Sequence, residues 1–459
     1  MNRAENIVSD VSKRYLEKHR LSKRCHREAK MYLPGGETRE STAFKPYPAF
    51  MERGEGFSLY DCDGNVYLDF LGNYTSMVHG HCDPDINAAV TAQLQKGSML
   101  GSVSIHLTEH ARILCERLPS VELVRYTNSG TEATMWAIRA ARAVTGRDKF
   151  LKIEGGYHGT FDAAKVSVVP DLDPKGLPEP HLEGLGVPKS VLGDVLVAPF
   201  NDLAAVEEQL ELNKGQVSAI IIEPFLGSAG VIPPDDGYLK GLREIADQFG
   251  VLLIFDEVQS LRLSTGGMQL LADVTPDICA LGKLIGGGYP VGAFAGKRDI
   301  MDRFEYDLTN PDSINHSGTF NGNEITMVAG IASMNKLDQA AIDHINLLGE
   351  SLRNEMNSYF QASGIKCLLS GIGSLSNIIY ADKQPKNTFE VAMSYLPCME
   401  LQSLFHLELI NRGIFSAKRG EFIISTPMTE KEIQTCIETI KQTFEYLRPY
   451  IEEKTPHLL

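Results

Sequence analysis

Hydrophobic and polar positions change their period along this chain of 459 residues, and the changes map its organisation. Residues 1–30 read as an exposed helix. In FSLYDCDGNVYLDF two β-rich runs flank Asp63-Gly64-Asn65, turn residues that predict a hairpin. From about residue 85 to 325, apolar runs such as LVRYT, KFLKI, VLVAPF, SAIIIE, VLLIFDE and DICAL alternate with helical stretches. Strands buried on both faces read as unbroken apolar runs, so the pattern predicts an α/β fold with a mostly parallel sheet covered by helices. After about residue 326 come amphipathic helices, short strands in NIIYAD and EFIIST, and a last helix opened by a capping box from Thr429 to Glu432. The division expected is a large domain over 61–325, with residues 1–60 joining residues 326–459 in a smaller one.

Composition narrows the classes of function. With 43% apolar and 22% charged residues, a chain of this length can bury roughly three quarters of its unfolded surface, so neither disulfide nor metal is needed for stability. The net charge of −15 argues against a partner recognised through its phosphates or an anionic lipid surface. The charged opening segment lacks an apolar core, and no run approaches a membrane span, so the expectation is a cytoplasmic protein. Eight scattered cysteines without a CxxC pair read as reduced packing residues.

Ligands in an open α/β sheet collect beyond the carboxyl ends of strands, so polar residues ending apolar runs are the first candidates. YTNSGTEATMWAIRAARAVTG has a strand, then Ser129-Gly130-Thr131, then a helix with small apolar residues at helical spacing. Such a turn offers backbone N–H groups, hydroxyls and a positive dipole end to a phosphate, or it is an ordinary N-cap. VLLIFDEVQS delivers Asp256 and Glu257, acids that could pair with a protonated ring nitrogen or satisfy backbone donors. SAIIIEP ends at Glu223, which a structural ion pair would explain equally well. Lys283 is the sole charged residue between Asp277 and Lys297, in a glycine-rich apolar segment. An amine desolvated there has a lowered pKa and is a usable nucleophile for a Schiff base. In EGGYHGT, Tyr157 or His158 could lie on the face of a ring. Phosphate cradle, acid and amine together are the parts pyridoxal phosphate requires. The long irregular stretch from Met31 to Phe50 is a further place to look for function.

The order SGTEA, YHG, EP, DEVQ, GK and HSGTFNGN resembles the class III, fold-type I aminotransferases over essentially the whole chain. The resemblance implies a large domain with a seven-stranded, mostly parallel sheet and a smaller α+β domain from the terminal segments. It also implies pyridoxal 5′-phosphate as cofactor and no metal. Lys283 would hold the cofactor as a Schiff base and move the proton of catalysis, and Asp256 would keep the pyridine nitrogen protonated. Val258 would pack beneath the ring and Tyr157 above it, with His158 and Glu223 close by. Ser129, Gly130 and Thr131 would hold the phosphate, and Gln259 would contact the ring hydroxyl. Thr319 would reach the phosphate of the neighbouring subunit's cofactor, which implies a homodimer with sites at the interface.

Within that family, PGGETR followed by PYP resembles the branch of glutamate-1-semialdehyde 2,1-aminomutases and β-phenylalanine-type transaminases. Aligned on PGG and Ala43-Phe44, the usual mutase arginine becomes Thr42, and this chain carries Arg39 three residues earlier. The DEVQSLRLSTGG and SAKRGEFIIS segments also favour the transaminases. Arg39 and Arg419 are the candidates for a substrate carboxylate, since guanidinium is a planar bidentate partner. Tyr74 falls where relatives place an aromatic beside the substrate. The expected activity moves an amino group from a β-amino acid, or another ω-amine, to a 2-oxo acid such as 2-oxoglutarate or pyruvate. The alternatives are an aminomutase or racemase on the same scaffold and, in another class, a sensing module that binds without turnover.

Overall fold

The computed structural model describes residues 3–173, 175–307 and 309–459. By contact density the chain forms two compact units, one of Met1–Asp83, His344–Gln384 and Met393–Leu459, the other of Pro84–Asp343 and Pro385–Ala392. The divisions between these units fall after residues 83, 343, 384 and 392.

The unit of Pro84–Asp343 is built on seven strands: β1 (Leu123–Thr127), β2 (Lys149–Ile153), β3 (Val195–Ala198), β4 (Val217–Ile222), β5 (Leu252–Asp256), β6 (Ile278–Gly282) and β7 (Gly292–Gly296). Their order in the sheet is β1-β7-β6-β5-β4-β2-β3. β7 runs antiparallel to both β6 and β1, and the other pairings are parallel. Two antiparallel steps restore direction, so β1 points the same way as the remaining five. Every residue of β4 and β6 is buried, which is why both read as unbroken apolar runs. Helix Gly130–Thr145 lays Ala137, Ala140 and Ala141 into a core with Phe150, Ile221, Ile254 and Phe294. Small residues at that spacing let the helix axis approach the sheet closely.

In the other unit, strands Met51–Glu55, Ser58–Asp61, Val66–Asp69 and Ile414–Phe415 form one sheet, and Leu368–Ile372, Leu375–Ile379 and Glu421–Ile423 form a second. The expected hairpin is present, with Leu59 opposite Tyr67 and the Asp61 carboxylate accepting from the backbone N–H groups of Asp63 and Asn65. The last helix, Glu430–Lys454, starts at the expected capping box. The N-terminal segment departs from its reading as one exposed helix. It forms helices Arg3–Lys18 and Arg20–Ala29, and Ala4, Ile7, Val11 and Tyr15 are buried. Spacings of three and four residues put these side chains on one stripe. That helix packs against Met399–Asn411 and Glu430–Lys454. No helix among the described residues is long and apolar enough to cross a membrane.

Candidate functional site

Because β1, β2, β4, β5 and β6 run in one direction, their carboxyl ends share one edge of the sheet, where a cleft of about 500 Å³ opens. All the candidate cofactor residues line it except Ser129 and Thr319. β6 ends at Gly282, and Lys283 begins a short 3-10 turn with φ +50°, a left-handed conformation that a non-glycine residue rarely adopts. The turn is anchored from behind: Ser333 Oγ donates to Leu284 O at 3.3 Å and His110 Nε2 donates to Ile285 O at 2.7 Å. Strain at a residue is retained only where its surroundings hold it, and such positions concentrate at functional sites. Lys283 is half-buried and lines the cleft.

β5 ends at Asp256, which is buried and faces the cleft. One carboxylate oxygen accepts from Val258 N at 3.2 Å, and the other lies 2.8 Å from His158 Nδ1. A carboxylate only accepts, so Nδ1 carries the proton and Nε2 is left as the basic nitrogen. Burial pushes the His158 pKa down, against the pull of Asp256 in the other direction. Nε2 is buried with no hydrogen-bond partner among the described residues. Glu257 turns the other way. It accepts from Ser260 Oγ and from Met268 N and Gln269 N at 3.0 Å each, so it caps the helix Gly267–Ala272 and takes no part in the cleft.

Glu223, at the end of β4, accepts from Tyr157 N at 2.9 Å. Its carboxylate therefore holds the loop that carries Tyr157 and His158, and Thr134 Oγ1 holds the same loop through His158 O at 2.6 Å. At the helix Gly130–Thr145, Ser129 Oγ accepts from Glu132 N at 3.2 Å as an N-cap, which uses one lone pair of the hydroxyl and not its proton. Gly130 and Thr131 follow in the cleft wall. A Cβ on Gly130 would come within 3.2 and 3.3 Å of the Val258 methyl groups, which packs the helix start directly over that side chain.

Gly159 also lines the cleft and was not singled out from the sequence. Its φ of +97° and the 2.4 Å from an added Cβ to Thr131 Oγ1 are the reasons the loop needs glycine there. Its signal was its place directly after Tyr157 and His158. Thr319 is exposed, in the turn ahead of helix Glu324–Lys336, and lies outside this cleft.

The substrate candidates all belong to the other unit. Arg39 and Tyr74 line a cavity of about 980 Å³ whose remaining wall is mainly apolar, including Phe44, Met51, Leu59 and Phe415. Arg39 Nη1 donates to Asn73 Oδ1 at 2.7 Å, and Tyr74 Oη donates to Ser41 O at 2.9 Å. Arg419 does not line the cavity. Its guanidinium pairs with Glu421 at 2.8 Å and lies 5.5 Å from the centre of the Tyr74 ring. The neighbouring Lys418, not singled out from the sequence, takes the place in the wall, with Nζ donating to Glu40 O and Ala43 O at 3.0 Å each.

No group of three or more possible metal ligands occurs among the described residues. The model of the class-III aminotransferase family matches residues 40–444. The chain is 35% identical to a glutamate-1-semialdehyde 2,1-aminomutase of Bacillus pumilus, over 93% of this chain and 98% of that one. It is 34% identical to the β-phenylalanine transaminase of Variovorax paradoxus, over 95% of each. Among solved structures it is similar to an omega-transaminase from Sphaerobacter thermophilus, with a TM-score of 0.89 and 39% identity over 93% of this chain and 98% of that one.

Proposed function

We propose, on the premise that this chain belongs to the class-III aminotransferases, that it transfers an amino group from a β-amino acid or another ω-amine to a 2-oxo acid such as 2-oxoglutarate or pyruvate. The chain is a pyridoxal-phosphate-dependent transaminase by family. The observation that carries the reading is the convergence of Lys283, Asp256 and the start of helix Gly130–Thr145 on one cleft.

That donor set fits the cofactor. The cleft has an amine, a carboxylate held by a buried histidine, and backbone N–H groups at a helix N-terminus. When bound, pyridoxal phosphate supplies an aldehyde for amine exchange and a ring that withdraws electrons from the carbon bearing the amine. Lys283 would hold the cofactor's aldehyde carbon and, once released, carry the proton to and from the substrate carbon. Asp256 would hold the proton on the pyridine nitrogen, and His158 would hold Asp256 in place. Val258 and Tyr157 would bound the ring on its two faces, with Gln259 at its edge. Ser129, Gly130 and Thr131 would take the phosphate, for which anions at helix N-termini are the precedent.

Arg39 would bind the substrate carboxylate. In support, its side chain donates to the neutral amide of Asn73, whereas Arg419 is paired with the Glu421 carboxylate. The apolar wall around Arg39 suits a donor with a hydrophobic body better than a short polar one. The same proposal makes the enzyme a cytoplasmic homodimer, in which the exposed Thr319 reaches the partner's cofactor phosphate.

The second reading is an aminomutase or racemase, supported by the similarity to the Bacillus pumilus aminomutase. Adding single amine donors to the cofactor-loaded enzyme and following its visible band separates the readings. A transaminase bleaches with a β-amino acid and recovers only when a 2-oxo acid is added. Sustained turnover without an oxo acid would select the mutase or racemase. A panel of donors against pyruvate and 2-oxoglutarate then identifies the pair used.

A further inference from the structure

Gly72, Asn73, Tyr74 and Thr75 form an unbroken run at positive φ, with values of +50°, +45°, +55° and +78°. Three of the four carry a Cβ, and Thr75 is β-branched, so the run is strained and must be held by its surroundings. It is held from both ends. Asp69 Oδ1 accepts from Leu71 N at 2.9 Å and Gly72 N at 3.0 Å, while Asp69 Oδ2 lies 2.7 Å from His81 Nε2. At the far end Met77 N donates to Gly72 O at 3.0 Å.

The run sets the direction of one amide. Ser76 Oγ donates its single proton to Asn73 O at 3.0 Å, which leaves an oxygen lone pair to accept from Asn73 Nδ2 at 2.8 Å. Nδ2 is thereby committed to Ser76, and Oδ1 faces Arg39 Nη1 at 2.7 Å. A guanidinium is planar with donors in a fixed fork, so holding one nitrogen restricts the orientations open to the rest. Because the tie is a neutral amide, it orients the charge without cancelling it. A carboxylate at the same place would do both, as Glu421 does for Arg419.

We propose that Asn73 is a positioning residue that orients Arg39 for the substrate carboxylate and so sets the preference for acid over simple amine donors. This rests on the assignment of Arg39 to the carboxylate. The role requires both an amide side chain and a residue that tolerates φ near +45°, and asparagine meets both requirements.

The test uses the cofactor-loaded enzyme and two donors, the best β-amino acid of the panel and the same amine lacking the carboxylate. Asn73 and Arg39 are both exposed, so losing this hydrogen bond costs less than losing a buried one, and Asn73→Ala is expected to raise the acid-to-amine ratio of KM values by about threefold to tenfold. Asn73→Asp should raise it further, since its carboxylate pairs with Arg39. Asn73→Gly keeps the left-handed backbone and drops the amide, so it should behave like the alanine variant. If Gly restores the wild-type ratio, or if the Ala and Asp variants raise both KM values equally, Asn73 acts only through the backbone and the proposal is overturned. Arg39→Ala separates the two layers. A selective rise in that variant without one in Asn73→Asp refutes Asn73 alone, whereas an unselective effect of Arg39→Ala refutes the carboxylate assignment and the proposal with it.

Discussion

His158 Nδ1 stands 2.8 Å from Asp256 Oδ2, and both side chains are buried. The imidazole therefore fixes the rotamer of the acid that would face the cofactor's ring nitrogen. A hydrogen bond to a charged group contributes about 1.5–3 kcal/mol, so His158→Ala should weaken cofactor binding or lower kcat by roughly 10- to 100-fold. Cofactor titration by absorbance and steady-state rates check this, and unchanged values in both would remove His158 from the site.

Two other histidines make the fold sensitive to acid. Burial pushes the His110 and His406 pKa values down to about 4, while an unfolded histidine titrates near 6.5. Both are neutral in the folded protein. Below about pH 6.5 the unfolded chain takes up protons that the folded chain refuses, so stability is full above that pH and falls as pH drops toward 4. Urea midpoints should decline over that window. His406→Gln should flatten the decline, and an identical slope in the variant would show that other groups set it.

Gly159 occupies a backbone position that only glycine fits, with Thr131 Cα 2.6 Å from where a Cβ would stand. Gly159→Ala should destabilise the fold by about 1–3 kcal/mol, since a strained φ costs that much, and should loosen the phosphate end of the cleft. A thermal melt with and without cofactor reads both effects. A wild-type melting temperature and undiminished stabilisation by the cofactor would contradict the account.

Much of this was legible in the chain itself, and the exceptions have physical causes. VLLIFDE and SAIIIE announced buried parallel strands, and their terminal acids pointed to the ligand edge, because such strands are apolar throughout until they leave the sheet. Lys283 stood out as the lone charge in an apolar segment. The antiparallel strand β7 did not stand out, since GAFAG is small and apolar and carries no direction. The buried stripe of helix Arg3–Lys18 was hidden among charges that occupy its other faces. Lys418 and Arg419 are adjacent on an irregular segment, where no period tells which one turns toward the cavity. The left-handed run at 72–75 had no sequence signal beyond Gly72 and Asn73, because Tyr74 and Thr75 adopt it against their own preference.

Lys283 is the residue that would carry the cofactor. Reduction of the cofactor-loaded protein with borohydride, followed by peptide mass mapping, tests it most directly. A pyridoxyl adduct on Lys283 is expected, lost together with the visible absorbance in a folded Lys283→Ala variant. An adduct on a different lysine, or a Lys283→Ala protein that keeps its colour and turns over repeatedly, would contradict it.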